Sequence, residues 1–222
     1  MNTPVKYEEM NRFQIVDLLK GDNLIGLELG VAEGIFSGKM LKSKKFTKYF
    51  GIDRYSDHHD IKEYRRVIKD LALQYPSYTL IRCDFDDALD IFPENFFDFI
   101  YVDGYAHTGE NAGETIQSWY PKLKVGGLMA GDDYHDDWPL VKLIVEHVVE
   151  QLNVNLMVLE KVSKEKYCMY PSWAFIKEKS SSISISEDIK KFCKEQESMN
   201  VRKDLEKLKS WSVDTKGEQS DS

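Results

Sequence analysis

Five short apolar runs divide the first part of the chain, most of them closing on glycine or aspartate. They are LIGLEL (24–29), KYFGID (48–53), YTLIR (78–82), FFDFIYVD (96–103) and GLMAGD (127–132). Runs of this length without polar alternation are those of strands buried on both faces of a parallel sheet. Helical patterns fill the gaps, at 35–44, 60–75, more weakly near 85–91, and at 109–120. A further helix over 137–152 carries Leu140, Leu143, Ile144, Val148 and Leu152 at helical spacing, with Pro139 in its first turn, where a missing N–H costs nothing. Strand–helix alternation predicts right-handed βαβ units and a doubly wound sheet. After 152 the pattern changes, and VNLMVLE and SWAFIKE flank the polar connector KVSKEKYCMYP as an antiparallel pair closing that sheet.

Composition sharpens this picture in two places. The chain has 222 residues and a net charge of −8, yet residues 179–222 hold 9 basic and 9 acidic residues, so all of the excess lies in residues 1–178. An acidic body argues for no nucleic acid and no membrane as a partner, since both need a positive footprint. It suits a small substrate or a divalent cation. The cysteines Cys83, Cys168 and Cys193 are odd in number and scattered, which predicts reduced thiols and a cytoplasmic location. The stretch MNTPVKYEEM has no apolar core of a secretory signal, and no run approaches the ~18 apolar residues of a membrane span.

Residues 1–178 are expected to form one domain. Residues 180–186, SSSISIS, read as a linker to an amphipathic helix over roughly 187–209 with a broken apolar stripe of Ile189, Phe192, Cys193, Val201, Leu205 and Leu208. That stripe suits packing on the domain or on a second copy in a homodimer. The last ten residues, VDTKGEQSDS, read as disordered tail.

In an open α/β sheet, ligands sit beyond the carboxyl ends of the strands, so the residues delivered there are the candidates for chemistry. The first run leads into ELGVAEG, with Glu28, Gly30 and Gly34. A dinucleotide G-x-G-x-x-G from Gly30 fails at Ala32 and Ile35, and a phosphate loop ending at Gly38-Lys39 fails at Glu33 and Met40. The remaining E-x-G-x-x-x-G places an acid beside the turn, which favours a cationic or hydroxyl-bearing ligand over a polyphosphate. Asp53 ends the second run about 20 residues on, where an acid can accept from ribose hydroxyls. Asp84 follows the third, as a ligand contact or a helix cap. The fourth run delivers Asp103 and the fifth Asp132, Asp133 and His135. Three carboxylates on neighbouring strands make a hard-oxygen site suited to Mg²⁺ or another divalent cation.

Together GLELGVAEG, YFGID, FDFIYVDGYAH and WYPKLKVGGLMAGDDY resemble class I S-adenosylmethionine-dependent methyltransferases. The resemblance is to the metal-dependent small-molecule O-methyltransferases related to macrocin O-methyltransferase, and it covers about residues 22–178. It implies a Rossmann-like α/β fold with a seven-stranded sheet, mostly parallel, the last strand antiparallel. It further implies that Gly30 and Gly34 lie along the methionine moiety of S-adenosylmethionine, with Glu28 shaping that pocket, Asp53 on the ribose and Asp84 near the adenine. Asp103, Asp132 and Asp133 match the acidic metal-ligand positions. Many relatives read D-G-D-H or D-G-S-H where this chain reads D-G-Y-A-H, so that Tyr105 takes the place of a second acid and His107 stands one residue late.

The implied reaction is transfer of the sulfonium methyl to a hydroxyl held by the metal, with a base to take the proton. His107 is the favoured base and His135 its rival, because a neutral imidazole suits proton transfer near pH 7. Beside this stands the plain reading of each as a polar loop residue. The adjacent His58 and His59 read as a solvated helix start and His147 as structural. A sugar unit of a glycan or glycosylated natural product is the favoured acceptor, with a catechol as the other candidate. A metal-dependent hydrolase using the same carboxylates is the alternative, separated from a methyltransferase by whether S-adenosylhomocysteine forms.

Overall fold

A computed structural model describes residues 3–56 and 59–196 of the chain. Among the described residues the sheet has eight strands rather than the expected seven: β1 (Val5–Tyr7), β2 (Leu24–Leu29), β3 (Phe46–Ile52), β4 (Tyr78–Ile81), β5 (Phe97–Val102), β6 (Leu123–Gly131), β7 (Met157–Leu159) and β8 (Ser172–Ile176). Their order is β1-β7-β8-β6-β5-β2-β3-β4. β8 runs antiparallel to both β6 and β7, and the remaining pairs are parallel, as the residue pattern predicts. The extra strand is β1, which pairs Val5 with Met157 at the sheet edge. At three residues with two of them exposed, it gives no apolar run for a sequence reading to find.

Alternation along β5, interrupted by a register shift between Phe97 and Phe99, divides the core into two layers. Phe97, Ile100 and Val102 join Leu27, Leu29, Met129 and the helix Pro139–Leu152 on one face. Phe99 and Tyr101 join Phe36, Met40, Tyr49 and the N-terminal residues Phe13, Ile15 and Val16 on the other. With side chains buried on both faces, β5 carries no polar alternation, which is why its sequence reads as continuous apolar.

Three expected elements change form. The helix over 60–75 starts at Asp60, whose carboxylate accepts from Lys62 and Glu63, and after Val67 it widens into a π turn over Ile68–Ala72. The widened register sets Leu71 against Gly34, where an added Cβ would lie 2.8 Å from Leu71 Cδ1. The weak helix near 85–91 is a single 3₁₀ turn, Leu89–Ile91. The helix over 109–120 is regular only from Glu114 to Trp119; Gly109 to Gly113 all have positive φ, forming one left-handed turn.

Residues 180–186 are not a free linker. Ile183 and Ile185 are buried against the helix layer, Ser184 N–H donates to Gln151 and Ile185 N–H to Gln117. Alternating isoleucines between serines let the segment lie down as a half-buried extended strip. Residues 187–196 are helical and bury Cys193; the rest of the predicted amphipathic helix and the tail lie outside the described residues.

Candidate active site

The strand order reverses between β2 and β5, and the candidate residues converge at that point. Gly30, Asp53, Asp103 and Asp132 are each the first residue after their strand. The parallel ladders continue one bond further through them: Gly30 N–H donates to Ile52, Asp53 N–H to Ile81, Asp103 N–H to Leu29 and Asp132 N–H to Val102. Backbone pairing thus fixes the positions from which these side chains leave. Gly30 has φ +94, and a Cβ there would lie 2.0 Å from the Asp103 carbonyl oxygen, so only glycine lets the turn approach β5.

Asp53 is buried and organises that turn. One carboxylate oxygen accepts from the N–H groups of Val31 and Ala32 at 3.0 and 2.9 Å, and the other from Tyr55 N–H at 2.8 Å. Glu28 is buried and accepts from Ser37 Oγ at 2.5 Å and from Tyr49 OH at 3.5 Å. Burial pushes its carboxyl up to about 8, against the Ser37 hydrogen bond. Gly34 starts the helix Ile35–Lys42 in a left-handed conformation. Asp84 is exposed, 3.7 Å from Arg54, outside the cluster formed by the other acids.

The three expected metal-ligand positions are brought together, but around a residue that motif reading missed. The guanidinium of Arg12 donates to Asp103 Oδ2 at 2.5 Å and to Asp132 Oδ2 at 2.6 Å, and also to the Tyr167 carbonyl at 2.6 Å. Arg12 is 2% exposed. Its Cζ lies 5.0 Å from the Phe36 ring centre and 5.2 Å from that of Tyr101, two rings stacked on each other at 4.0 Å. Burial works to lower the Arg12 pKa, and the two carboxylates more than offset this, holding the guanidinium well above its ordinary value. Asp132 Oδ1 accepts from Ser172, so both of its oxygens are engaged.

The divalent-cation expectation gains no support from this geometry. Among the described residues no group of three His, Cys, Asp or Glu side chains is placed to hold a metal ion. The oxygens an ion would need carry a protein cation instead. Asp133, with φ +65, lies beside this pair, and burial followed by the charges of Asp132 and Asp103 pushes its carboxyl up to about 8. Glu110, in the left-handed turn, is buried with Oε2 unpartnered, and burial holds its pKa well above the usual carboxylate range.

Both candidate bases stand on the rim. The exposed His107 packs its ring edge-on to Trp138 at 4.6 Å, Trp138 meets Tyr170 at 6.0 Å, and Tyr170 meets His135 at 5.1 Å. These four rings form one aromatic border. His135 Nδ1 accepts from Asp137 N–H, which directs that nitrogen into its own loop. His59 pairs with Glu63 and His147 lies near the Ser184 carbonyl, both away from the carboxylates. The connector between β7 and β8 folds over the glycine turn, with Lys166 on Glu33 at 2.6 Å and Lys39 on Glu165 at 3.4 Å.

Arg12 carried no readable signal because its partners lie 91 and 120 residues away. Its local surroundings offered a hint: an arginine among Phe13, Ile15 and Val16 must be buried with them or break the apolar stripe.

Residues 27–134 match the model of a methyltransferase domain family. Solved structures give the same likeness. An S-adenosylmethionine-dependent O-methyltransferase from Thermotoga maritima superposes with a TM-score of 0.56 at 14% identity, over 76% of this chain and 65% of that one. The chain has the methyltransferase fold. The DszA carbon methyltransferase gives 0.51 at 16% identity, over 76% of this chain and 50% of that one, so this chain spans half its length. Spermidine synthase from Thermotoga maritima gives 0.57 at 16% identity, over 85% and 76%. At these identities the likeness is one of fold, and a synthase shares it, so the choice of reaction falls to the site. No curated protein matches the chain. No helix among the described residues is long and apolar enough to cross a membrane.

Proposed function

We propose that this protein is an S-adenosylmethionine-dependent O-methyltransferase acting on a hydroxyl of a small polyhydroxylated acceptor, with a sugar unit favoured. The observation that carries the reading is the convergence of the glycine turn and the aspartates of β5 and β6 on one switch point, bordered by the His107, Trp138, Tyr170 and His135 rings. The turn around Gly30, held open by Asp53, offers close backbone approach for the methionine part of the cofactor. The aromatic border suits the apolar C–H faces of a sugar ring, and the free oxygen positions of Asp103 and the Asp133 carboxyl suit its hydroxyls.

Methyl transfer requires the acceptor oxygen in line with the sulfonium methyl and a base for its proton. His107 is assigned that role, as the histidine of the β5 loop that packs on Trp138 in the aromatic border. His135 serves as a substrate contact. The three cysteines are free thiols, which suits the cytoplasm.

Calorimetry with S-adenosylmethionine tests the cofactor assignment, and micromolar binding is expected. S-adenosylhomocysteine formation across a panel of sugar and catechol acceptors then tests the acceptor class. Turnover on catechols alone would reverse the preference, and absence of cofactor binding would end the reading.

A further inference from the structure

The carboxylates of Asp103 and Asp132 emerge from adjacent strands with only short side chains, so whatever neutralises them must come to them. Two carboxylate oxygens converge on one point with a third carboxyl from Asp133 nearby, oxygen donors of the kind a divalent cation takes, although among the described residues no three are placed to hold one. The chain places Arg12 there instead. Its two terminal nitrogens reach Oδ2 of each aspartate at 2.5 and 2.6 Å, and Ser172 takes the remaining oxygen of Asp132. An ion bound by both Oδ2 atoms would have to displace the guanidinium and then lie close to a second positive charge.

The setting of Arg12 is built rather than incidental. It stands at the first position of the 3₁₀ helix Arg12–Leu18, which is fixed by a reciprocal cap between Asn11 and Gln14. Phe13, Phe36 and Tyr101 surround the guanidinium. The Tyr167 carbonyl of the connector holds NH1 from the other side, at 2.6 Å. Its Nε is buried among these rings.

We propose that the Arg12 guanidinium is the resident cation of these strand-end carboxylates, occupying the place of a divalent metal, so that the acceptor site works without one. Arg12 is a positioning residue: it fixes Asp103 and Asp132 toward the acceptor. A single charge is delocalised over a planar fork and cannot be titrated or chelated away. The inference rests on the methyl-transfer reading only in its activity arm.

The test uses the full chain with S-adenosylmethionine bound. Mn²⁺ titration followed by electron paramagnetic resonance is expected to show no stoichiometric site in the wild-type protein. Acceptor turnover is expected to be unchanged by EDTA. Arg12→Ala, checked for folding by near-UV circular dichroism, is expected to gain Mn²⁺ affinity by about tenfold or more. That gain should vanish on adding Asp103→Asn. Stoichiometric Mn²⁺ binding by the wild type that Asp103→Asn abolishes would overturn the proposal. So would a folded Arg12→Ala protein that takes up no Mn²⁺. Should Arg12→Ala not fold, Arg12→Met keeps the packing and gives the same readout, and the wild-type titration decides by itself. Metal binding is read without turnover, so failure of the O-methyltransferase reading leaves this test intact.

Discussion

At the scale of single residues, the site is a contest between burial and charge. Arg12, Asp103, Asp132, Asp133 and Glu110 place one cation among four carboxyl groups in a largely buried volume. Guanidinium contacts hold Asp103 and Asp132 in place, but burial still raises the Asp132 carboxyl to about 7, against the opposing charge of Arg12, and raises Asp133 and Glu110 as well. The histidines were legible as loop residues beside the strand ends, but their rank as bases depends on what their nitrogens touch. Replacing His107 with Gln is expected to lower kcat by roughly 10²–10⁴-fold with little change in S-adenosylmethionine affinity. The corresponding change at His135 is expected to act mainly on the acceptor KM. Steady-state kinetics on both variants checks the assignment, and the reverse pattern would exchange the roles.

At the scale of elements, the short N-terminal 3₁₀ helix matters beyond its length. The Asn11 cap and Gln14 satisfy its first N–H groups and hold Arg12 at the carboxylates. Asn11→Ala is expected to cost about 1 kcal/mol in chemical denaturation. By comparison Ile144→Ala, in the fully buried face of Pro139–Leu152, should cost about 2–5 kcal/mol through the cavity it leaves. The cap change should also weaken acceptor turnover, because it loosens the helix that carries Arg12, whereas the core change should leave KM alone. The five main strands and the long helix were legible because their apolar runs are continuous or helically spaced. The left-handed turn at 109–113 was not: Glu110, Asn111 and Ala112 are ordinary residues there, and the conformation is imposed by what surrounds them. The close packing of Gly109 on Leu140 and of Gly113 on Ile144 and Ile185 belongs to that surrounding.

For the whole molecule, the buried acids set the pH response. Glu28 is fully buried, and burial raises its folded-state pKa to about 8 from an ordinary 4.5. Between those values the folded protein holds a proton that the unfolded chain releases, so stability falls as pH rises through this window. At roughly 1.4 kcal/mol per pH unit, the loss attributable to this group is on the order of a few kcal/mol by pH 8. Glu28→Gln, which removes this titration and keeps a partner for Ser37, should make the slope between pH 5 and 8 shallower, with Asp132, Asp133 and Glu110 supplying the remainder, and stabilise the protein at the upper end. Urea denaturation at several pH values reads this directly; an unchanged slope would show that Glu28 ionises freely.

The sequence by itself determined the strand–helix alternation, the antiparallel closing strand, the glycine turn and the aspartates at the strand ends, because each is written in local spacing. It also placed Asp53 and Asp103 correctly as the residues where their strands stop. Only the tertiary structure decided what those acids meet. Arg12 lies in a different element from either aspartate it joins, and the edge strand Val5–Tyr7 exists only because Met157–Leu159 offers it a free edge. Ile183 and Ile185 turn a serine-rich stretch into part of the core for the same reason. Local pattern reports which residues must be buried, whereas the identity of a counter-charge depends on chain segments that meet only after folding.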